Sequence, residues 1–217
     1  MIDKGMILTQ LTHQIKASGD QYWISKIEVL CDSHIHVAVM VEPYITKIMR
    51  GEKIIESRFS QNKIVPWKRV FPGDIIIIKR SGGGFESVFE AGEVISREIS
   101  SPADVEQIKA NFNDRLCIED DWWERKSKSR YATLISITHL LRFNPFVIKF
   151  KNRQAWVELY QPNQDNKELA SKGSIGDEET SVASKMMQAP VYCISGKIGS
   201  GKTTIGKMLE EKLGKEF

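Results

Sequence analysis

The sequence predicts an α+β protein: a β-rich domain over residues 34–161, a flexible linker over 162–189, and an incomplete strand–loop–helix unit over 190–217. Three observations predict it. Ile75-Ile76-Ile77-Ile78 is an unbroken β-branched run, the pattern of a strand covered on both faces. Ala132 to Leu140 sets Ile135 and Ile137 against Ser136 and Thr138, the alternation of a half-buried strand. From Gln161 to Ala189, Asn, Asp, Ser, Gly, Lys and Glu dominate, a composition that cannot repay the entropy of ordering.

Residues 1–33 read as an N-terminal extension, in which Ile7 to Ile15 fits a short helix and Tyr22 to Leu30 fits a helix or a strand. From His34 the pattern sharpens, and Ile35 to Val41 reads as a strand. Pro43 to Arg50 reads as a short helix: Pro43 suits a first turn, and Gly51 stands where a left-handed C-cap is wanted. Ile54 to Phe59 is the next strand. Pro72-Gly73-Asp74 is a turn with Pro and Gly at its centre, and it opens the isoleucine strand. Ser81-Gly82-Gly83-Gly84 reads as a hairpin tip, with Val88 to Ile99 returning. Pro102 to Leu116 is helical, because Ser101 can cap, Pro102 fits the first position, and Val105, Ile108 and Phe112 recur at helical spacing. Phe146 to Leu159 supplies one or two further strands, with Trp156 and Leu159 in the core.

The net charge of +3 is too small for binding driven by bulk phosphate neutralisation, so contact with a nucleic acid has to rest on a local surface. It falls on residues 1–161, since residues 162–217 hold eight basic and eight acidic side chains. Cys31, Cys117 and Cys193 are far apart and odd in number, which gives neither a disulfide framework nor a paired metal spacing. A reducing cytoplasm is the simplest expectation. No apolar run approaches the ~20 residues of a membrane span, and the N-terminus lacks the layout of a signal peptide.

Gly51-Glu52-Lys53-Ile54-Ile55-Glu56-Ser57-Arg58 joins a helix stop, a basic residue and a strand. Side chains two apart on a strand share a face, so Glu56 and Arg58 lie together. A carboxylate beside a guanidinium fixes both and leaves the remaining donors to face a phosphate or a base edge. A structural ion pair closing the helix–strand corner is the alternative. Three tryptophans stand near basic residues, the composition of a groove that stacks bases beside cations. Trp67 precedes Lys68 and Arg69, while Trp122-Trp123 precedes Arg125, Lys126, Lys128 and Arg130. At least one of the adjacent pair is expected in the core. His34 and His36 share a strand face but have no third ligand in motif spacing, so no metal site is expected there.

The signature resembles that of the ASCH domain, a PUA-like small β-barrel family with the pattern G-x-K-x-x-E-x-R. Gly51, Lys53, Glu56 and Arg58 match its four positions. The resemblance spans residues 34–161 and includes Pro43-Tyr44, Pro72-Gly73-Asp74, the Ser81-Gly82-Gly83 loop and Arg153 to Val157. It implies a barrel whose cleft gathers the signature residues, an RNA or nucleotide ligand, and no cofactor. Lys53, Glu56 and Arg58 would line that cleft, with Trp67 as a stacking partner. DNA is not expected as a ligand. One branch of the family hydrolyses acetylated cytidine with a Lys, a Thr and a Glu. Its Lys stands where Lys53 is, but its Thr position holds Glu56 here. Beside that carboxylate Lys53 is expected to stay protonated, which suits a phosphate better than base catalysis.

Residues Gly196 to Thr203 match G-x-x-x-x-G-K-[ST], after the apolar run Val191 to Ile194 and before a helical stretch from Thr204 to Lys212. That is the setting of a phosphate-binding loop. Backbone N–H groups around Gly196, Gly199, Ser200 and Gly201 would wrap the phosphates, with Thr204 opening the helix. Lys202 would reach the β- and γ-phosphates, and Thr203 would ligate magnesium. The stretch from Ile194 to Gly214 is similar to the start of adenylate/cytidylate-type kinases, which implies ATP and Mg²⁺ in a complete domain. A unit this short seldom folds alone, so no phosphoryl transfer is expected from this chain. Three readings follow: a binding module for RNA or a nucleotide, a nucleoside amidohydrolase or ribonuclease using the same cleft, and a nucleotide-sensing domain of a longer kinase.

Overall fold

A computed structural model describes residues 2–161. The linker 162–189 and the unit 190–217, with its phosphate-loop motif, lie outside the described residues. The element order is α1 (Lys4–Ser18), α2 (Gln21–Lys26), a 3-10 turn (Ile27–Asp32), β1 (Ile35–Met40), α3 (Tyr44–Met49), β2 (Ile55–Ser60), β3 (Ile75–Arg80), β4 (Phe85–Glu98), α4 (Pro102–Leu116), α5 (Asp120–Lys126), β5 (Tyr131–Phe146) and β6 (Trp156–Tyr160). The six strands form one sheet in the order β2-β5-β4-β3-β1-β6. β1 and β3 are parallel, and every other pair is antiparallel.

The sheet curls because its two long central strands are bulged. The β4–β5 ladder shifts register between Phe85 and Ser87, between Val88 and Glu90, and between Ala91 and Val94, and each bulge adds twist. Gly92 sits in the last of these, where an added Cβ would lie 2.8 Å from the Thr138 methyl and 3.2 Å from Ser136 Cβ. The curl carries β2 round towards β1 and β6, but no ladder joins them among the described residues. The result is a half-barrel with a seam, where the resemblance to the ASCH domain implied a barrel.

The isoleucine run feeds two cores. Ile75 and Ile77 pack with Ile7, Leu11, Ile15 and Trp23 on one face, while Ile76 and Ile78 pack with Ile45, Ile48 and Trp156 on the other. A third cluster joins Val105, Ile108 and Leu116 of α4 and Trp123 of α5 to Ile55 and Leu134. The predicted α4 has its expected span and a capping box made by Ser101 and Asp104. Gly51 takes the left-handed φ of 74° that ends α3.

Residues 4–32 are a layer of the domain and not an appendage. Ile7, Leu11 and Ile15 recur four apart and are fully buried on the sheet. The Trp23 indole donates to the His139 carbonyl at 2.6 Å. The Tyr22 hydroxyl donates to Glu90, whose carboxylate also lies 2.6 Å from the Lys26 ammonium. Tyr22 to Leu30 is helical throughout. β5 runs to Phe146, six residues beyond the predicted Leu140, a single strand β6 follows, and α5 was not anticipated. No helix of the described residues is long and apolar enough to cross a membrane.

Candidate nucleic-acid interface

The signature segment follows directly from the end of α3. The left-handed Gly51 turns the chain, and the Glu52 and Lys53 amides both donate to the Lys47 carbonyl, at 3.0 and 3.2 Å. Lys53 then points inward. Its ammonium donates to the Ile55 carbonyl at 2.6 Å and to the Leu116 carbonyl at 3.2 Å, and lies 3.4 Å from Glu56 Oε2. Only 2% of this side chain is exposed. Burial pushes the ammonium below the ordinary lysine range, against the opposing pull of Glu56. The expectation that the neighbouring carboxylate would set its titration weighed Glu56 alone, because the enclosure was not visible in the sequence.

Glu56 and Arg58 share a face, as strand spacing requires, and Arg58 Nε donates to Glu56 Oε1 at 2.8 Å. The rest of the guanidinium spans the seam. Nη1 donates to the Ala155 carbonyl at 3.1 Å and Nη2 to the Val39 carbonyl at 3.2 Å. Two of the four remaining donors, which were expected to face a ligand, thus tie β2 to β1 and to the residue before β6. The guanidinium also lies 5.1 Å from the centre of the Trp156 ring.

Above this floor opens a cleft of about 590 Å³ that brings all four predicted residues, Lys53, Glu56, Arg58 and Trp67, to one place. Its aromatic lining is Tyr44, Phe59, Trp67, Trp122 and Trp156. Trp67 is mostly buried, with its ring tilted on Tyr131 at 4.9 Å, so it presents an edge of the wall more than an open face. Trp122 is half-buried and meets the cleft, while Trp123 turns into the core and donates to Asn113 Oδ1 at 3.2 Å. A helix sends successive side chains in different directions, which separates the pair.

Two cations line the cleft without an ion-pair partner among the described residues: Lys126 on α5 and Arg153 in the segment before β6. The Lys126 ammonium lies 4.7 Å from the centre of the Trp122 ring, one helical turn away. Burial first, then Arg125 and Arg58, pushes it below the ordinary lysine range. The other basic residues of that run go elsewhere. Arg125 pairs with Asp121, and Lys128 and Arg130 line a separate depression beside the N-terminus of α4. In the sequence Lys126 was one of four equivalent cations; its four-residue spacing from Trp122 becomes a signal only once α5 is known. Arg153 carried no signal beyond its place in the ASCH-like stretch.

His34 and His36 acquire the third group that the sequence did not offer, because Asp74 lies within ligand distance of both. The hydrogen bonds speak against an ion. His36 Nε2 lies 3.0 Å from Asp74 Oδ2, and the Trp156 indole donates to His36 Nδ1 at 3.3 Å. An indole nitrogen only donates, so Nδ1 accepts and Nε2 carries the proton. Neither nitrogen of His36 then keeps a lone pair for a metal. The predicted nucleotide-binding residues Gly196, Gly199, Ser200, Gly201, Lys202, Thr203 and Thr204 lie outside the described residues.

No family model matches the sequence, and no curated protein matches it. Solved structures are similar at low identity. The ASCH protein of Zymomonas mobilis is 12% identical with a TM-score of 0.48, over 64% of this chain and 94% of that one. The ASCH domain of Lactobacillus crispatus is 12% identical with a TM-score of 0.40, over 64% and 94%. The N-terminal domain of Staphylothermus marinus McrB is 16% identical with a TM-score of 0.40, over 65% and 95%.

Proposed function

We propose that this chain carries an ASCH-like module that binds single-stranded RNA in the cleft between β2, α5 and the segment before β6. One base rests against the tryptophan walls, and the adjoining phosphate meets Lys126 and Arg153. The observation that carries the reading is that these two cations, without an ion-pair partner among the described residues, line an aromatic cleft. Stacking accepts any base because every base has a π-face, and cations neutralise the backbone beside it. Glu56 does not repel the phosphate, because Lys53 and Arg58 neutralise it. Binding is favoured over hydrolysis because Lys53 and Glu56 are tied to each other and to the frame of the domain, which leaves neither as a free base.

Titration with a labelled single-stranded RNA, its DNA counterpart and an RNA duplex tests this. The single-stranded RNA is expected to bind most tightly, and Lys126→Ala is expected to lower the slope of log affinity against log salt by about 1. If Lys126→Ala and Arg153→Ala both bind as tightly as the parent, the cleft is not the interface. The Gly196 to Thr203 motif supports a separate proposal, that residues 190–217 belong to a nucleotide-binding unit taking ATP with magnesium. Titration with magnesium ATP is expected to give weak binding that Lys202→Ala abolishes; equal binding by parent and variant would refute it.

A further inference from the structure

The binding scheme makes no use of the buried Asp74–His36 pair, although that pair stands directly behind the cleft wall. We propose that His36 is a positioning residue: held by Asp74, it fixes Trp156 as the wall on which Arg58 lies and against which a ligand rests. This rests on the cleft reading above.

The contacts run without a break from a turn to the cleft. The Phe71 amide donates to Asp74 Oδ2 at 2.8 Å, and His36 Nε2 donates to the same oxygen at 3.0 Å. Nδ1 of His36 accepts from the Trp156 indole at 3.3 Å. The face of Trp156 then meets the Arg58 guanidinium. His36 is fully buried, Trp156 nearly so, and Asp74 is 7% exposed. The strands set this up. Ala38 pairs with Trp156 and His36 with Glu158, so His36 and Trp156 are diagonal neighbours on one sheet face.

An indole in an apolar layer can fill its space with the ring in more than one orientation. Its single N–H selects the orientation that reaches an acceptor, because a buried donor left unpaired is costly. His36 Nδ1 is that acceptor, and Asp74 selects the tautomer that leaves Nδ1 free to accept. Asp74 in turn is aligned by the Phe71 amide at the Pro72-Gly73-Asp74 turn. The three residues thus form a line of hydrogen bonds whose far end is a wall of the cleft, and this arrangement uses the lone pair a metal would need.

The experiment compares the parent, His36→Gln, His36→Phe, Trp156→Phe and the His36→Phe/Trp156→Phe double variant. Two readouts are taken: the Trp156 indole N–H resonance, assigned by its loss in Trp156→Phe, and the affinity for a labelled single-stranded RNA. Glutamine can donate to Asp74 and accept from Trp156, whereas phenylalanine fills the space and does neither. His36→Phe is expected to shift the indole resonance and weaken binding about fivefold. His36→Gln is expected to keep both close to the parent. In the Trp156→Phe background, His36→Phe is expected to cost no further affinity. An unmoved indole resonance in His36→Phe overturns the proposal, as does a full additional loss in the double variant. Should His36→Phe fail to fold, Asp74→Ala, which leaves His36 in place but unheld, must move the same resonance, or the proposal fails. A parent that binds no RNA overturns the cleft reading and leaves the indole resonance to decide the positioning.

Discussion

Lys53 carries its charge almost wholly inside the protein. Two carbonyls and Glu56 surround its ammonium, which binds the end of α4 to the start of β2. Removing one member of a buried charged set costs more than the set contributes, because the partner is left uncompensated. Lys53→Met is therefore expected to destabilise the domain by about 3 kcal/mol, measured by urea unfolding at neutral pH. A loss well below about 1 kcal/mol would mean that Glu56 is satisfied by Arg58 alone. The pairing of Glu56 with Arg58 was legible from strand spacing. The inward turn of Lys53 was not, because it depends on the carbonyl of Leu116, 63 residues away in sequence.

Among the elements, α4 was the most legible, since each signal for it is local: a cap, a first-turn proline and an apolar stripe. Its N-terminus also gives a pH test. The Ser100 and Ser101 amides, each 2.8 Å from Asp104 Oδ2, hold that exposed carboxyl below its ordinary value. A carboxyl depressed on folding contributes fully above its unfolded pKa, about 3.9. That contribution fades as pH falls through the lower folded value. Asp104→Asn is thus expected to reduce the drop in the urea midpoint between neutral pH and acid below pH 4. An equal drop in both proteins would exclude Asp104 from the acid response. In contrast α5, seven residues from Asp120 to Lys126, was missed. Its apolar content is the adjacent Trp122 and Trp123, which establish no period of their own. α1 was underread for a related reason, because only Ile7, Leu11 and Ile15 of its fifteen residues are buried.

At the scale of the molecule, the curled sheet leaves β2 and β6 unpaired with each other, and a side chain closes part of the gap. Arg58 gives β2 a hold on Val39 and Ala155 where no backbone ladder runs. The cleft is the outer side of that seam. Its walls come from β2, β6, α5 and the loop holding Trp67, brought together only because the bulges in β4 and β5 bend the sheet. An unbent sheet with the same strands and the same signature would leave these groups on separate surfaces.

The sequence by itself determined the class of the domain, its strands, the α4 boundaries and the residues at the bend, because periodicity, caps and turns act over a few neighbouring residues. Only the tertiary structure decided what those residues do. Whether a lysine is enclosed, whether an arginine's donors are spent on carbonyls, and whether a cation is left without a carboxylate all depend on groups distant in the chain. No local pattern encodes the company that a side chain keeps across a curved sheet.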